Sequence, residues 1–135
     1  MLVDFLAALP IIIPLTGAMV GLLLRKQRPL QAYWSLGAML TSLAASLWLL
    51  QTVQQTGQPV VYLSGNWSAP FGIVLVADTL AAIFVVMTQL VMVMGIVYAL
   101  GSKDQVVTYP TFYPLFLTLA TGLTGAMLTG DLFNL

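Results

Sequence analysis

This 135-residue chain is 60% hydrophobic and only 6% charged, against about a quarter charged residues in soluble domains. With a mean hydropathy of +1.01, four Lys/Arg and four Asp cannot solvate a water-soluble globule, so the composition selects an all-α, polytopic membrane helix bundle. Zero net charge offers no basic face to nucleic acid. The lack of Cys, His and Glu removes disulfides, thiol catalysis and the usual metal ligands, so neither a cofactor nor a metal site is expected.

The N-terminus is apolar, with Asp4 and no preceding Lys or Arg. A cleavable secretory signal needs positive charge before its apolar stretch, so the first segment reads as a retained transmembrane helix over about 3–24. Pro10 and Pro14 fall inside it and predict a kink or a late start. The basic stretch Arg25-Lys26-Gln27-Arg28 ends the run.

A second helix is predicted over about 30–53, followed by the polar, turn-rich Gln54-Gln55-Thr56-Gly57-Gln58-Pro59. Two short β-branched runs then flank Gly65-Asn66-Trp67-Ser68-Ala69-Pro70. They predict a small β-hairpin at about 60–76, lying on the outer membrane surface because an open sheet edge cannot face lipid. A third helix is predicted over about 77–100 and a fourth over about 111–129, with Pro110 and Pro114 in or before its first turn, where a missing N–H does little harm.

The end of the chain, Thr129-Gly130-Asp131-Leu132-Phe133-Asn134-Leu135, reads as a turn with Asp131 as N-cap of a fifth helix starting at Leu132. That helix receives one turn of sequence, which suggests a chain cut from something longer. No linker divides the chain, and residues 1–135 read as a single membrane domain.

Arg25, Lys26 and Arg28 follow the first helix and Lys103 follows the third. Alternate loops share a side, so the positive-inside rule makes that side cytoplasmic and puts the N-terminus and the hairpin outside. Tyr33, Trp34, Trp48, Tyr98, Tyr109 and Tyr113 lie near helix ends, as an interfacial aromatic belt would.

Three ionisable residues are candidates for an ion pathway. Asp78 opens the third helix, where a carboxylate is either a functional intramembrane group or a helix cap. Asp131 has the same two readings, and for both the capping role fits residue type and position. Lys103, beside Asp104, could carry protons if buried in a bundle, but it sits outside the apolar run, as a solvated loop residue would. On the fourth helix Thr118, Thr121, Gly122 and Gly125 form small-xxx-small spacings that let another helix approach closely. No phosphate loop, catalytic constellation or metal-ligand set is present.

Three stretches carry a family resemblance. They are Gly65-Asn66-Trp67-Ser68-Ala69-Pro70-Phe71-Gly72-Ile73-Val74-Leu75-Val76-Ala77-Asp78, then Tyr113-Pro114-Leu115-Phe116, then Gly125-Ala126-Met127-Leu128-Thr129-Gly130-Asp131-Leu132-Phe133-Asn134-Leu135. Together they resemble the N-terminal region of the D subunits of Mrp-type multisubunit Na+/H+ antiporters, which are related to the antiporter-like, proton-pumping subunits of respiratory complex I. The resemblance implies a longer transporter subunit of a bacterial or archaeal cell membrane, assembled with other membrane subunits and exchanging H+ for Na+ or another monovalent cation. It also implies that the catalytic glutamate lies beyond Leu135, so no catalytic residue is expected within the chain. Tyr113 stands where the family often has His. Two other readings compete: the equivalent proton-pumping subunit of an NADH/ferredoxin-quinone oxidoreductase or membrane hydrogenase, and a membrane scaffold that transports nothing.

Overall fold

The computed structural model describes residues 2–67 and 72–130. Elements follow in the order α1 (Leu2–Phe5), α2 (Leu9–Leu23), α3 (Arg28–Thr56), β1 (Val60–Leu63), β2 (Val74–Ala77), α4 (Thr79–Gly101) and α5 (Phe112–Leu128). Asp131 and the start of a fifth membrane helix lie outside the described residues.

The first predicted helix is split. In a continuous helix Pro10 would clash with the carbonyl four residues back, at Leu6. The chain instead turns over residues 6–8 and α2 restarts at Leu9, which puts Pro10 in the first turn. The turn is sealed inside the protein, with Leu6 and Ala8 4% exposed and Ala7 fully buried. Irregular backbone at membrane depth is tolerated in such protein-covered positions.

Helix α3 continues through Gln54, Gln55 and Thr56, which composition alone marks as a turn. Gly57 then stops it in the left-handed region at φ 63°, returning its N–H to the Val53 carbonyl at 3.0 Å. With 29 residues, α3 is about 43 Å long and outreaches a ~30 Å hydrocarbon core. Its glutamines therefore emerge at the hairpin end.

Helices α2, α3, α4 and α5 form a ring in which each packs on the next and α5 closes on α2. They run alternately between two ends of the bundle. One end carries the hairpin; the other carries Arg25, Lys26, Arg28 and Lys103. The helix spanning Leu9–Lys26, α3 and α4 are long and apolar enough to cross a membrane, while α5 is a shorter apolar helix.

Polarity is inverted relative to a water-soluble protein. Gln31, Ser35, Ser42, Ser46, Gln89 and Thr124 are fully buried, whereas Met19, Leu23, Trp48, Val91, Met94 and Leu115 are more than half exposed. Small and polar residues face other helices and large apolar ones face outward, as expected where lipid rather than water surrounds the bundle.

Strands β1 and β2 pair antiparallel from Val60↔Ala77 to Leu63↔Val74, as the β-branched runs predict. Val60, Leu75 and Ala77 pack with Leu6, Ala7, Leu49, Val53 and Leu128 in one core cluster. The chain leaving α5 joins the sheet: Thr129 bridges Leu75, and the Gly130 N–H donates to the Val74 carbonyl at 2.8 Å. A Cβ on Gly130 would lie 2.5 Å from Val76 Cγ2, so only glycine fits this approach.

Candidate functional site

A polar seam runs through the bundle, and its centre originates in Pro14, a proline inside α2. Pro14 has no N–H, so the carbonyl four residues back, at Pro10, lacks its helical partner. Two side chains fill the vacancy: Gln89 Nε2 donates to the Pro10 oxygen at 3.2 Å and Ser42 Oγ donates to it at 3.2 Å. Gln89 Nε2 also donates to Thr124 Oγ1 at 3.0 Å, and the Thr124 hydroxyl donates in turn to the Ala120 carbonyl at 2.7 Å. Through the Pro10 carbonyl and Gln89, all four ring helices are therefore joined.

A second amide acts at the basic end. The Pro110 carbonyl lies just outside α5, before its N-cap Thr111, and Gln31 Nε2 donates to it at 2.9 Å. That nitrogen also donates to the Gly21 carbonyl near the end of α2 at 2.7 Å. Both amide orientations follow from these carbonyls, since the reverse assignment would set oxygen against oxygen. The Oε1 atoms of Gln31 and Gln89 are buried and without a hydrogen-bond partner among the described residues.

A seam of amides and hydroxyls takes up no proton near neutral pH. It can hold helices in register and offer two buried acceptors to a donor such as water. No Asp, Lys or Arg is buried among the described residues, and no group of three potential metal ligands occurs among them.

The sequence-selected candidates lie elsewhere. Asp78 is exposed and caps α4, its carboxylate accepting from the Ala81 N–H at 2.7 Å. Lys103 is exposed in the loop after α4, and the neighbouring Asp104 N–H donates to Ser102 Oγ at 3.2 Å. Asp78 and Lys103 stand at opposite ends of α4, about 35 Å apart along its axis, and form no joint site. Asp131 lies outside the described residues.

Thr118 and Gly122 face outward, and a Cβ at Gly122 or Gly125 would meet nothing within 4 Å. Within this bundle, close approach falls at other glycines. A Cβ on Gly17 would lie 2.8 Å from Ala38 Cβ, and one on Gly95 would lie 2.6 Å from Phe116 Cζ. The hydroxyls of Thr118 and Thr121 bond back to their own helix, at Pro114 (2.9 Å) and Leu117 (3.0 Å). Tyr113, read from sequence as a belt residue, is only 6% exposed, while Tyr33, Trp48, Tyr98 and Tyr109 are each more than 60% exposed.

Gln31 and Gln89 escape a reading of the sequence. A signal exists for Gln89: it is the sole amide in the uncharged run from Thr79 to Ser102. Gln31, just past a basic loop, looks like any interfacial residue.

No protein-family model matches the chain. It is 41% identical over 130 residues to the D subunit of the Na+/H+ antiporter of Alkalihalophilus pseudofirmus, covering 96% of this chain and 26% of that protein. It is 35% identical over 127 residues to the protein of the same name in Bacillus subtilis, covering 94% of this chain and 26% of that protein. Among solved structures, a chain of the membrane-bound sulfane sulfur reductase, an archaeal respiratory membrane complex, superimposes with a TM-score of 0.77 at 29% identity, over 95% of this chain and 26% of that one. The chain thus spans about a quarter of the length of the relatives it matches. Similarity over nearly its whole length makes this chain a homologue of the D subunits of Na+/H+ antiporters.

Proposed function

We propose that this chain forms part of a monovalent cation/proton antiporter subunit within a multisubunit membrane complex. The observation that carries the reading is the 41% identity to the D subunit of a Na+/H+ antiporter across 96% of the chain. The neutral interior defines its share of the work. With no Asp, Lys or Arg side chain buried among the described residues, this region is a wall that braces the proton-carrying groups rather than one of the carriers.

The basic end faces the cytoplasm and the hairpin faces outward, as three cations between α2 and α3 and a fourth after α4 require under the positive-inside rule. The small face of α5 at Thr118, Gly122 and Gly125 takes a further transmembrane helix of the complex, because backbones can approach there without side-chain hindrance.

The test uses everted membrane vesicles from cells carrying the full-length protein with its partner subunits. Adding NaCl to acidified vesicles should restore the fluorescence of a pH-sensitive dye, and deletion of the protein should abolish the response. The likeness to a respiratory membrane complex supports a second reading, in which transport is driven by electron transfer. Proton movement that ignores Na+ and starts only with an electron donor would select that reading. For orientation, cysteine at Lys103 should label only after permeabilisation and cysteine at Gln58 in intact cells; the reverse pattern would invert the topology.

A further inference from the structure

A cleft of about 340 Å3 opens at the basic end between the start of α3, the end of α4 and the start of α5. Its polar wall includes Arg28, Ser102, Thr108 and Tyr113, and its apolar wall includes Ala99 and Leu100.

Two features of this cleft point to an anionic occupant. Arg28 is the first residue of α3, where the helix dipole already concentrates positive charge and a cation is disfavoured. Tyr113 is 94% enclosed (6% exposed) and lines the cleft, yet its hydroxyl makes no hydrogen bond among the described residues. The surroundings are basic as well, as the positive-inside rule requires: Arg25, Lys26 and Lys103 share this end, with Asp104 as the sole acid among the described residues there.

A phosphate-bearing anion answers both. It would neutralise Arg28, accept from the Tyr113 hydroxyl and sit favourably at the start of α3. The cleft lies at the depth where a membrane helix leaves the hydrocarbon, and its Ala99–Leu100 wall suits the first methylenes of an acyl chain. We propose that this cleft is a binding site for one anionic phospholipid, with its phosphate held by Arg28 and Tyr113 and its chains running down the outer surface of α4. The site is independent of the transported ion and of what drives transport.

The test uses the full-length protein in its complex, purified in mild detergent, with phosphatidylglycerol as the probe. Native mass spectrometry should show phosphatidylglycerol retained in preference to phosphatidylcholine. Arg28→Gln should weaken retention about fivefold, from the usual contribution of one basic residue near an anionic headgroup. Tyr113→Phe, which keeps the ring and its packing, should weaken it severalfold. Arg25→Gln, outside the cleft, should leave it within twofold.

Equal losses for Arg25→Gln and Arg28→Gln would reduce the effect to general surface charge and overturn the site. Displacement of the lipid by glycerol phosphate at equal concentration would show that a free phosphate compound is the occupant and overturn the lipid assignment. A photo-cross-linker at Tyr33, which also lines the cleft, should capture lipid. Its capture of a neighbouring protein instead would assign the cleft to a protein contact and overturn the proposal.

Discussion

Gln89 Nε2 on α4 lies 3.2 Å from the carbonyl oxygen of Pro10 on α2, the oxygen that Pro14 cannot engage. The bond turns a helix defect into an interhelical tie. A proline at position 14 leaves an acceptor unsatisfied where no water is available, and the cost of that vacancy selects a donor on a neighbouring helix.

This pairing predicts a thermodynamic coupling. Gln89→Leu should destabilise the full-length protein by about 1–2 kcal/mol, because it strands the Pro10 carbonyl with Ser42 alone. Pro14→Ala restores the helical N–H, so Gln89→Leu should cost measurably less in that background. A double-mutant cycle read by unfolding in mixed detergent should give a coupling of at least about 0.5 kcal/mol, the usual floor for contacting residues. Strict additivity would contradict the vacated-carbonyl account.

The glycines separate bundle packing from complex packing. Gly17→Ala places a Cβ 2.8 Å from the Cβ of Ala38, which has no torsion to move it aside, so α2 and α3 must separate. A loss of about 1–3 kcal/mol should follow in thermal unfolding of the purified protein. Gly122→Leu meets open space inside this bundle. It should leave that stability nearly unchanged but reduce assembly of the complex on native gels. Intact assembly with Gly122→Leu would remove the small face of α5 as a helix contact.

Asp78 offers a clean distinction between a cap and an ion ligand. Its carboxylate accepts the Ala81 N–H, a task that Asn performs about equally well. Asp78→Ala should lower stability by roughly 1 kcal/mol, and Asp78→Asn should restore it together with full transport in everted vesicles. Loss of transport in Asp78→Asn with stability intact would make the negative charge itself functional.

Gly130→Ala should loosen the hairpin end. The added methyl would lie 2.5 Å from Val76 Cγ2, so the bond from Gly130 to Val74 cannot form as seen. Hydrogen exchange in the strand Val74–Ala77 should accelerate by about tenfold or more, equivalent to about 1.4 kcal/mol of local opening. Unchanged exchange there would mean that the α5 exit adds nothing to the sheet.

Much of this architecture is legible in the sequence because lipid enforces it. Spans of some 20 uncharged residues bounded by Arg25, Asp78 and Lys103 admit few other structures, and β-branched residues around Gly65 mark the hairpin. Boundaries are less legible where polar residues remain helical, as at Gln54 and Gln55 in α3. The candidate site is harder still. Glutamine carries no sign of whether it faces headgroups or a carbonyl, and nothing local links Gln31 to Pro110, 79 positions away. A rule exists for Gln89 alone: a proline inside a helix, as Pro14 is in α2, leaves a carbonyl four residues upstream in need of another donor.

The Gly130–Val74 bond has a mechanical consequence. Through it, the exit of α5 is stitched to the sheet, and the sheet in turn touches the start of the chain where Phe5 meets Tyr62 edge-on at 5.9 Å. The hairpin end is thereby a clasp that binds the first and last described segments to each other. The opposite end has its own tie, Gln31 Nε2 joining α3 to Gly21 and Pro110, so the bundle is fastened at both ends.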